Sequence, residues 1–168
     1  MTTFSLQNEL KKEIERILQD FMMKNPKGEL VHIQTFGQNL PKQMQKIQTE
    51  TVMDEEAQED DLYPFCVVRM DSGSMGEHAG VHTVKTVLIF GIWDNDLGCQ
   101  GHQVILNMIQ RISGRFFADP ILSEKYAMDE SAGINWTLDD EDQFPYYYGA
   151  MEMTWHMLLT KREEDKYA

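Results

Sequence analysis

Residues 143–159 constrain this chain more tightly than any other stretch. Pro145 cannot continue a helix, and it biases Phe144 towards extended backbone. Beyond Gly149 the side chains alternate. Met151, Met153, Trp155, Met157 and Leu159 fall on one face, and Glu152, Thr154 and His156 on the other. A period of two marks a strand with one buried face. The rest of the chain must therefore supply a sheet and something to cover one side of it.

At 168 residues the chain reads as one domain. A chain of that length buries roughly two thirds of its unfolded surface, so it needs neither disulfide nor metal to fold. Cys66 and Cys99 are the only cysteines, and Cys66 lies in the apolar run Phe65-Cys66-Val67-Val68, the ordinary setting of a buried thiol. The opening Met-Thr-Thr-Phe-Ser-Leu-Gln does not read as a signal peptide. The longest apolar run, Val87 to Trp93, is too short to span a bilayer. A soluble protein of a reducing cytoplasm, with no membrane partner, is the expectation. The formal net charge of −13 argues against nucleic acid, whose phosphates repel such a surface. Lys11, Lys12, Lys42 and Lys46 are the candidates for a local basic patch, but each falls on a solvated face.

Periodicity places a first helix from an N-cap at Ser5, with Leu6, Leu10, Ile14, Ile17, Leu18 and Phe21 as its apolar stripe. Asn25-Pro26-Lys27-Gly28 ends it. A strand is expected over Leu30 to Phe36. Residues 37–62 then lose apolar character, and Glu50, Asp54, Glu55, Glu56, Glu59, Asp60 and Asp61 crowd the second half. Such a segment cannot offset its ordering entropy by burial. It is expected as a long mobile acidic loop with a helical piece around Lys42 to Gln48. It is either a solvated loop or an arm that orders on a partner.

Strands follow at Phe65 to Met70 and His82 to Trp93, joined by the glycine-rich Asp71 to Gly80. The second becomes apolar on both faces, so it lies centrally. Asp94-Asn95-Asp96 supplies an N-cap for a second helix striped by Ile105, Met108, Ile109, Ile112 and Phe116, and Asp119-Pro120 stops it. Asn135 to Leu138 reads as a short strand, Asp139 to Asp142 as an acidic turn, and residues 161–168 as a frayed charged tail. The expected fold class is α+β: a two-layer domain with a mostly antiparallel sheet of four to five strands and two amphipathic helices packed on one face.

No catalytic motif emerges. Ser72 and Ser74 lie in a glycine-rich connection without a nucleophile elbow, and that loop lacks the Gly-Lys-Ser/Thr of a phosphate-binding loop. His78 and His82 with Cys99 and His102 contain enough ligands for a tetrahedral zinc, but their spacing sits on no common helix. Asp94 to Gly98 lacks the closing acid of a calcium loop. No metal or cofactor is expected. Tyr146, Tyr147 and Tyr148 could stack on a ligand, but aromatic residues beside an edge strand fit a protein interface better. The candidate interface residues are therefore Tyr146, Tyr147, Tyr148, Glu152, Thr154 and His156 on the last strand, Glu55, Glu56, Glu59, Asp60 and Asp61 in the acidic loop, and Met75 and His78 at the hairpin.

Several of these segments, in this order, resemble the tail terminator family of long-tailed bacteriophages and phage-tail-like bacteriocins. They are the first amphipathic helix, Tyr63-Pro64-Phe65-Cys66-Val67-Val68-Arg69, Val84 to Gly91 with Trp93-Asp94, and Val104-Ile105-Leu106-Asn107-Met108-Ile109-Gln110-Arg111-Ile112. Trp136-Thr137-Leu138 and Phe144-Pro145-Tyr146-Tyr147-Tyr148-Gly149 with the strand to Trp155 complete them. The acidic stretch Met53 to Asp61 is not part of the family pattern. The resemblance implies a structural virion protein without enzymatic activity, assembled in the bacterial host cytoplasm and residing in the tail. It implies a homo-oligomeric ring, commonly a hexamer, that caps the tail tube, stops its polymerisation and joins it to the head. The implied partners are the tail tube protein, a head-side connector or collar protein, and the sheath protein where there is one. A neighbouring head–tail completion protein and a small acidic immunity or inhibitor-type module are the alternatives.

Overall fold

The computed structural model of the protein describes residues 2–42, 61–76 and 80–158. Helix α1 spans Thr3–Ile17. Its cap is Thr2 rather than Ser5. The Thr2 hydroxyl accepts from the Ser5 amide at 3.0 Å, and the Ser5 hydroxyl accepts from the Thr2 amide at 3.1 Å. Ser5 is thus the third helical residue of a reciprocal capping box, so the helix begins earlier than its first hydroxyl-capped apolar run indicates. Leu6, Leu10, Ile14 and Ile17 form the buried stripe.

The helix also ends sooner than expected. Asn25 to Gly28 does not terminate it but turns a hairpin between β1 (Met22–Lys24) and β2 (Leu30–His32). The Asn25 side chain accepts from the amides of Lys27 (3.1 Å) and Glu29 (2.9 Å), and Gly28 takes φ +83°, open to glycine without strain. The expected strand from Leu30 to Phe36 is two strands, β2 and β3 (Gln34–Gly37), which lie in different sheets.

The main sheet is built on three long strands, β4 (Phe65–Met75), β5 (Val81–Trp93) and β9 (Tyr146–Leu158). After β5 come helix α2 (His102–Ala118) and the short strands β6 (Ile121–Leu122), β7 (Tyr126–Met128) and β8 (Asn135–Leu138). The strand order is β3-β4-β5-β9-β7-β6, and β8 also pairs with β9. Among the described residues the main sheet has seven strands where four to five are expected, because β3 joins the edge and β6–β7 add a hairpin too short to show a period. Every pairing is antiparallel except β3–β4, which is parallel.

Strand β4 is longer than expected. After a register shift past Met70, Ser72 to Met75 pair with Lys85 to His82, so Ser72 and Ser74 belong to a strand, not to a flexible loop. Helix α2 departs from expectation at its start. Its cap position is Gly101, with no side-chain cap, and the Asp94 carboxylate accepts instead from the Asp96 amide (3.0 Å) within the preceding turn.

The core lies on one face of the sheet. Leu6, Leu10 and Ile14 of α1 and Ile105, Met108, Ile112 and Phe116 of α2 are buried in one cluster with sheet residues. Those residues include Cys66 and Val68 of β4, Val84, Leu88, Phe90 and Ile92 of β5, and Met151, Met153, Trp155 and Met157 of β9. Burial pushes the Cys66 thiol far above its ordinary range. The fold is thus mixed α+β, with two helices among the described residues. The helices are tied together at their polar margin. Glu13 of α1 accepts from Arg16 and, at 2.9 Å, from Arg115 Nε of α2, and these guanidinium groups hold its carboxyl below the usual range. Arg115 also donates to the carbonyls of Asp119 (2.5 Å) and Ile121 (3.2 Å), which fixes the exit from α2 into β6.

Candidate functional site

The other face of the sheet is covered by neither helix. The strand period sends Phe65, Val67 and Arg69 of β4, Lys85, Val87 and Ile89 of β5, and Tyr148, Ala150, Glu152, Thr154 and His156 of β9 to this side. An aromatic group anchors one end. Tyr63 stands 5.0 Å from Phe65 and 4.9 Å from Tyr146 by ring centroids, and 6.2 Å from Tyr148. The hydroxyls of Tyr63 and Tyr148 are hydrogen-bonded at 2.5 Å. Gly91 makes this packing possible: a Cβ there would lie 2.3 Å from the Phe65 ring. A groove of about 780 Å³ opens beside the aromatics, lined by Leu40, Lys42, Phe65, Arg69, Ile89 and Tyr148 among others.

The three consecutive tyrosines do not act as one platform. Tyr146 and Tyr148 join the aromatic group, whereas Tyr147 points to the helix side, where its ring occupies the space a Cβ of Gly101 would need (2.5 Å). The Tyr147 hydroxyl is buried without a hydrogen bond among the described residues.

Of the polar candidates on β9, the side chains of Glu152 and His156 have local partners, and Thr154 is bonded through its backbone. Glu152 pairs with Lys85 at 3.5 Å across the ladder. The Thr154 carbonyl accepts from the Asp129 amide at 2.8 Å. His156 lies between Thr83, its ladder partner, and Asp129. Nδ1 is 3.1 Å from the Thr83 hydroxyl and Nε2 is 3.0 Å from the Asp129 carboxylate. An ionised Asp129 only accepts, so the imidazole Nε2–H donates to its carboxylate. This hydroxyl–imidazole–carboxylate line was not visible in sequence, because Thr83, Asp129 and His156 are far apart along the chain. Thr83 sits within a paired strand, and the line ties β5 and β9 to the loop after β7.

Asp129 also accepts from the Ser131 hydroxyl (2.6 Å) and from the amides of Ser131 (3.0 Å) and Ala132 (3.1 Å). With the Ser131 hydroxyl foremost, followed by the Ala132 amide and His156, these donors hold its carboxyl down to about 2. A depressed carboxyl stabilises the fold above its unfolded value and loses that contribution as pH falls through its folded value. The Asp129→Asn variant should therefore be less stable than the parent near neutrality, and the gap should close between pH ~4 and ~2. Urea midpoints of both proteins at three pH values read this directly. A gap that persists unchanged at the acid end contradicts it.

Met75, at the end of β4, is 69% exposed. Asp61 pairs with Lys27 at 2.5 Å. Glu55, Glu56, Glu59, Asp60 and His78 lie outside the described residues, as do nearly all of the expected helical piece and the tail at 161–168. Among the described residues no group of three or more His, Cys, Asp or Glu is placed to hold a metal ion. Cys99 is exposed in the turn before α2, and His102 is the first residue of that helix. No helix of the described residues is long and apolar enough to cross a membrane. No protein-family model matches the chain, and neither does any curated protein.

Proposed function

We propose that the protein is a structural assembly subunit of the tail terminator kind, forming a ring that caps a tail tube and stops its growth. The observation that carries this reading is the helix-free face of the sheet. There the partly exposed Val87, Ile89 and Tyr148 stand beside a groove whose lining includes Lys42 and Arg69, on a chain of net charge −13. A groove that mixes apolar and charged lining fits a protein contact. Glu152 and His156 on β9 are held by Lys85, Thr83 and Asp129 within the fold. On this reading the tube end is one partner, the head-side connector or collar is another, and a sheath protein joins them in contractile tails. The ring is the sixfold closure common in the family.

The test is tube growth. Tail tube subunits from the same source are polymerised with and without substoichiometric protein, and tube lengths are measured by negative-stain electron microscopy. Shortened tubes bearing a terminal density are the expected result. Tubes that lengthen normally with bare ends contradict the reading.

A further inference from the structure

We propose that subunits join by pairing β8 of one copy with β3 of the next, antiparallel, so that the sheet continues from subunit to subunit. The inference rests on the ring reading above and names the seam that closes it.

Both strands are sheet edges: among the described residues β3 pairs only with β4, and β8 only with β9. They lie at opposite sides of the sheet and at the same height. Following the registers, Gly37 lies opposite Val68, Val68 opposite Leu88, Leu88 opposite Met151, and Met151 opposite Trp136. One row thus runs from Gly37 to Trp136. The next rows run from Phe36 to Thr137 and from Thr35 to Leu138. The chain directions fit too. Strand β3 runs with β4, against β5, with β9 and against β8. Rotation about an axis along the strands preserves direction, so a second copy brings its β3 antiparallel to β8.

The outward backbone groups at the two edges match in direction, with the Gly37 carbonyl, which already accepts from the Asn39 amide (2.9 Å), sharing its second lone pair across the seam. The amides of Gln34 and Gln38 donate to the carbonyls of Pro64 and Val68, which turns alternate residues Thr35 and Gly37 outward. The Asp139 amide donates to the Tyr148 carbonyl, which by the antiparallel alternation turns Leu138 and Trp136 outward. The rows pair these outward residues with each other, Thr35 with Leu138 and Gly37 with Trp136. Trp136 is 55% exposed, and across the seam it faces a residue with no Cβ, a pairing in which the indole covers an edge glycine.

The stepped outline of the sheet fits itself. At the height of β7 the sheet starts one strand later, at β4, and ends one strand further out, at β6. With β8 against the next copy's β3, strand β6 falls in line with that β3 and runs the same way. It then lies beside the unpaired outer edge of Ser72 to Met75. The exposed apolar residues Trp136 and Ile121 on one side and Met75 on the other are brought to the seam. Pairing removes open edges that would otherwise template unwanted strand addition.

Cysteine cross-linking tests the seam. In a Cys99→Ser background, Phe36→Cys and Thr137→Cys are combined. Within one copy these positions are four strand spacings apart, about 19 Å, too far for a disulfide. Mild oxidation of the assembled double variant should give covalent multimers up to the full ring, and either single variant should give none. Rings that form but do not cross-link overturn the seam and leave the ring reading standing. A chain that stays monomeric even with tail tubes overturns both. As a second arm, Trp136→Pro removes both the outward amide donor and the indole that covers the edge glycine. It should raise the concentration needed for assembly about tenfold or more while leaving the urea midpoint near that of the parent. Unchanged assembly would contradict the seam.

Discussion

Replacing Gly91 with valine should destabilise the fold by about 1–3 kcal/mol and abolish assembly at concentrations where the parent assembles. The cause is local. Gly91 sits in β5 opposite Phe65 and Tyr148, and the Phe65 ring fills the volume above it, with a ring carbon 2.3 Å from where a Cβ would stand. Phe65 is buried and has little room to retreat, since Tyr63 lies against its ring. Shifting Phe65 shifts Tyr63, and with it the contacts to Tyr146 and Tyr148. The mechanism is checkable by a double-mutant cycle. Phe65→Leu should cost stability in the parent but much less in the Gly91→Val background, because it vacates the contested space. Additive losses in urea denaturation would place the fault elsewhere.

The second large effect belongs to Trp155, which is 0% exposed at the centre of the helix-covered face. Its ring meets Phe116 of α2 edge-on, centroids 5.1 Å apart at 88°. Its Nε1–H donates to the Thr86 hydroxyl at 3.1 Å, and that hydroxyl donates to the Met153 carbonyl at 3.1 Å. Trp155→Ala should cost about 3–5 kcal/mol through lost burial and the cavity left behind. Thr86→Val keeps the shape but strands the indole N–H, at about 1–3 kcal/mol. The two losses should not add, since truncating Trp155 removes the donor that Thr86 satisfies. Chemical denaturation followed by far-ultraviolet circular dichroism separates these cases without relying on the tryptophan itself.

Trp155 also marks what the sequence made legible. The alternation Met151–Met153–Trp155–Met157 is buried as its period requires, and so is the stripe from Ile105 to Phe116. Asn135 to Leu138 is the strand expected. These segments carry their own period, and tertiary contacts did not override it. Other segments hid their structure for identifiable reasons. Met22 to Lys24 has no β-branched residue and follows a helical stripe, so the hairpin at Asn25 looked like a helix end. Ile121–Leu122 and Tyr126–Met128 are too short to show any period. Ser72-Gly73-Ser74 has poor strand propensity and is extended only because Lys85 to Thr83 pair with it. The split among Tyr146, Tyr147 and Tyr148 follows from strand geometry, but the sequence placed the alternation only after Gly149. Tyr63 meets Tyr146 and Tyr148 only through the fold, and the Thr83–His156–Asp129 line depends on pairing across distant strands.

The central claim, that this chain is a ring-forming subunit and not a solitary domain, is tested most directly by mass photometry across a wide concentration range, with and without assembled tail tubes. The account predicts one closed species of fixed stoichiometry, appearing with concentration or at tube ends. A monomer at every concentration that ignores the tubes would contradict it.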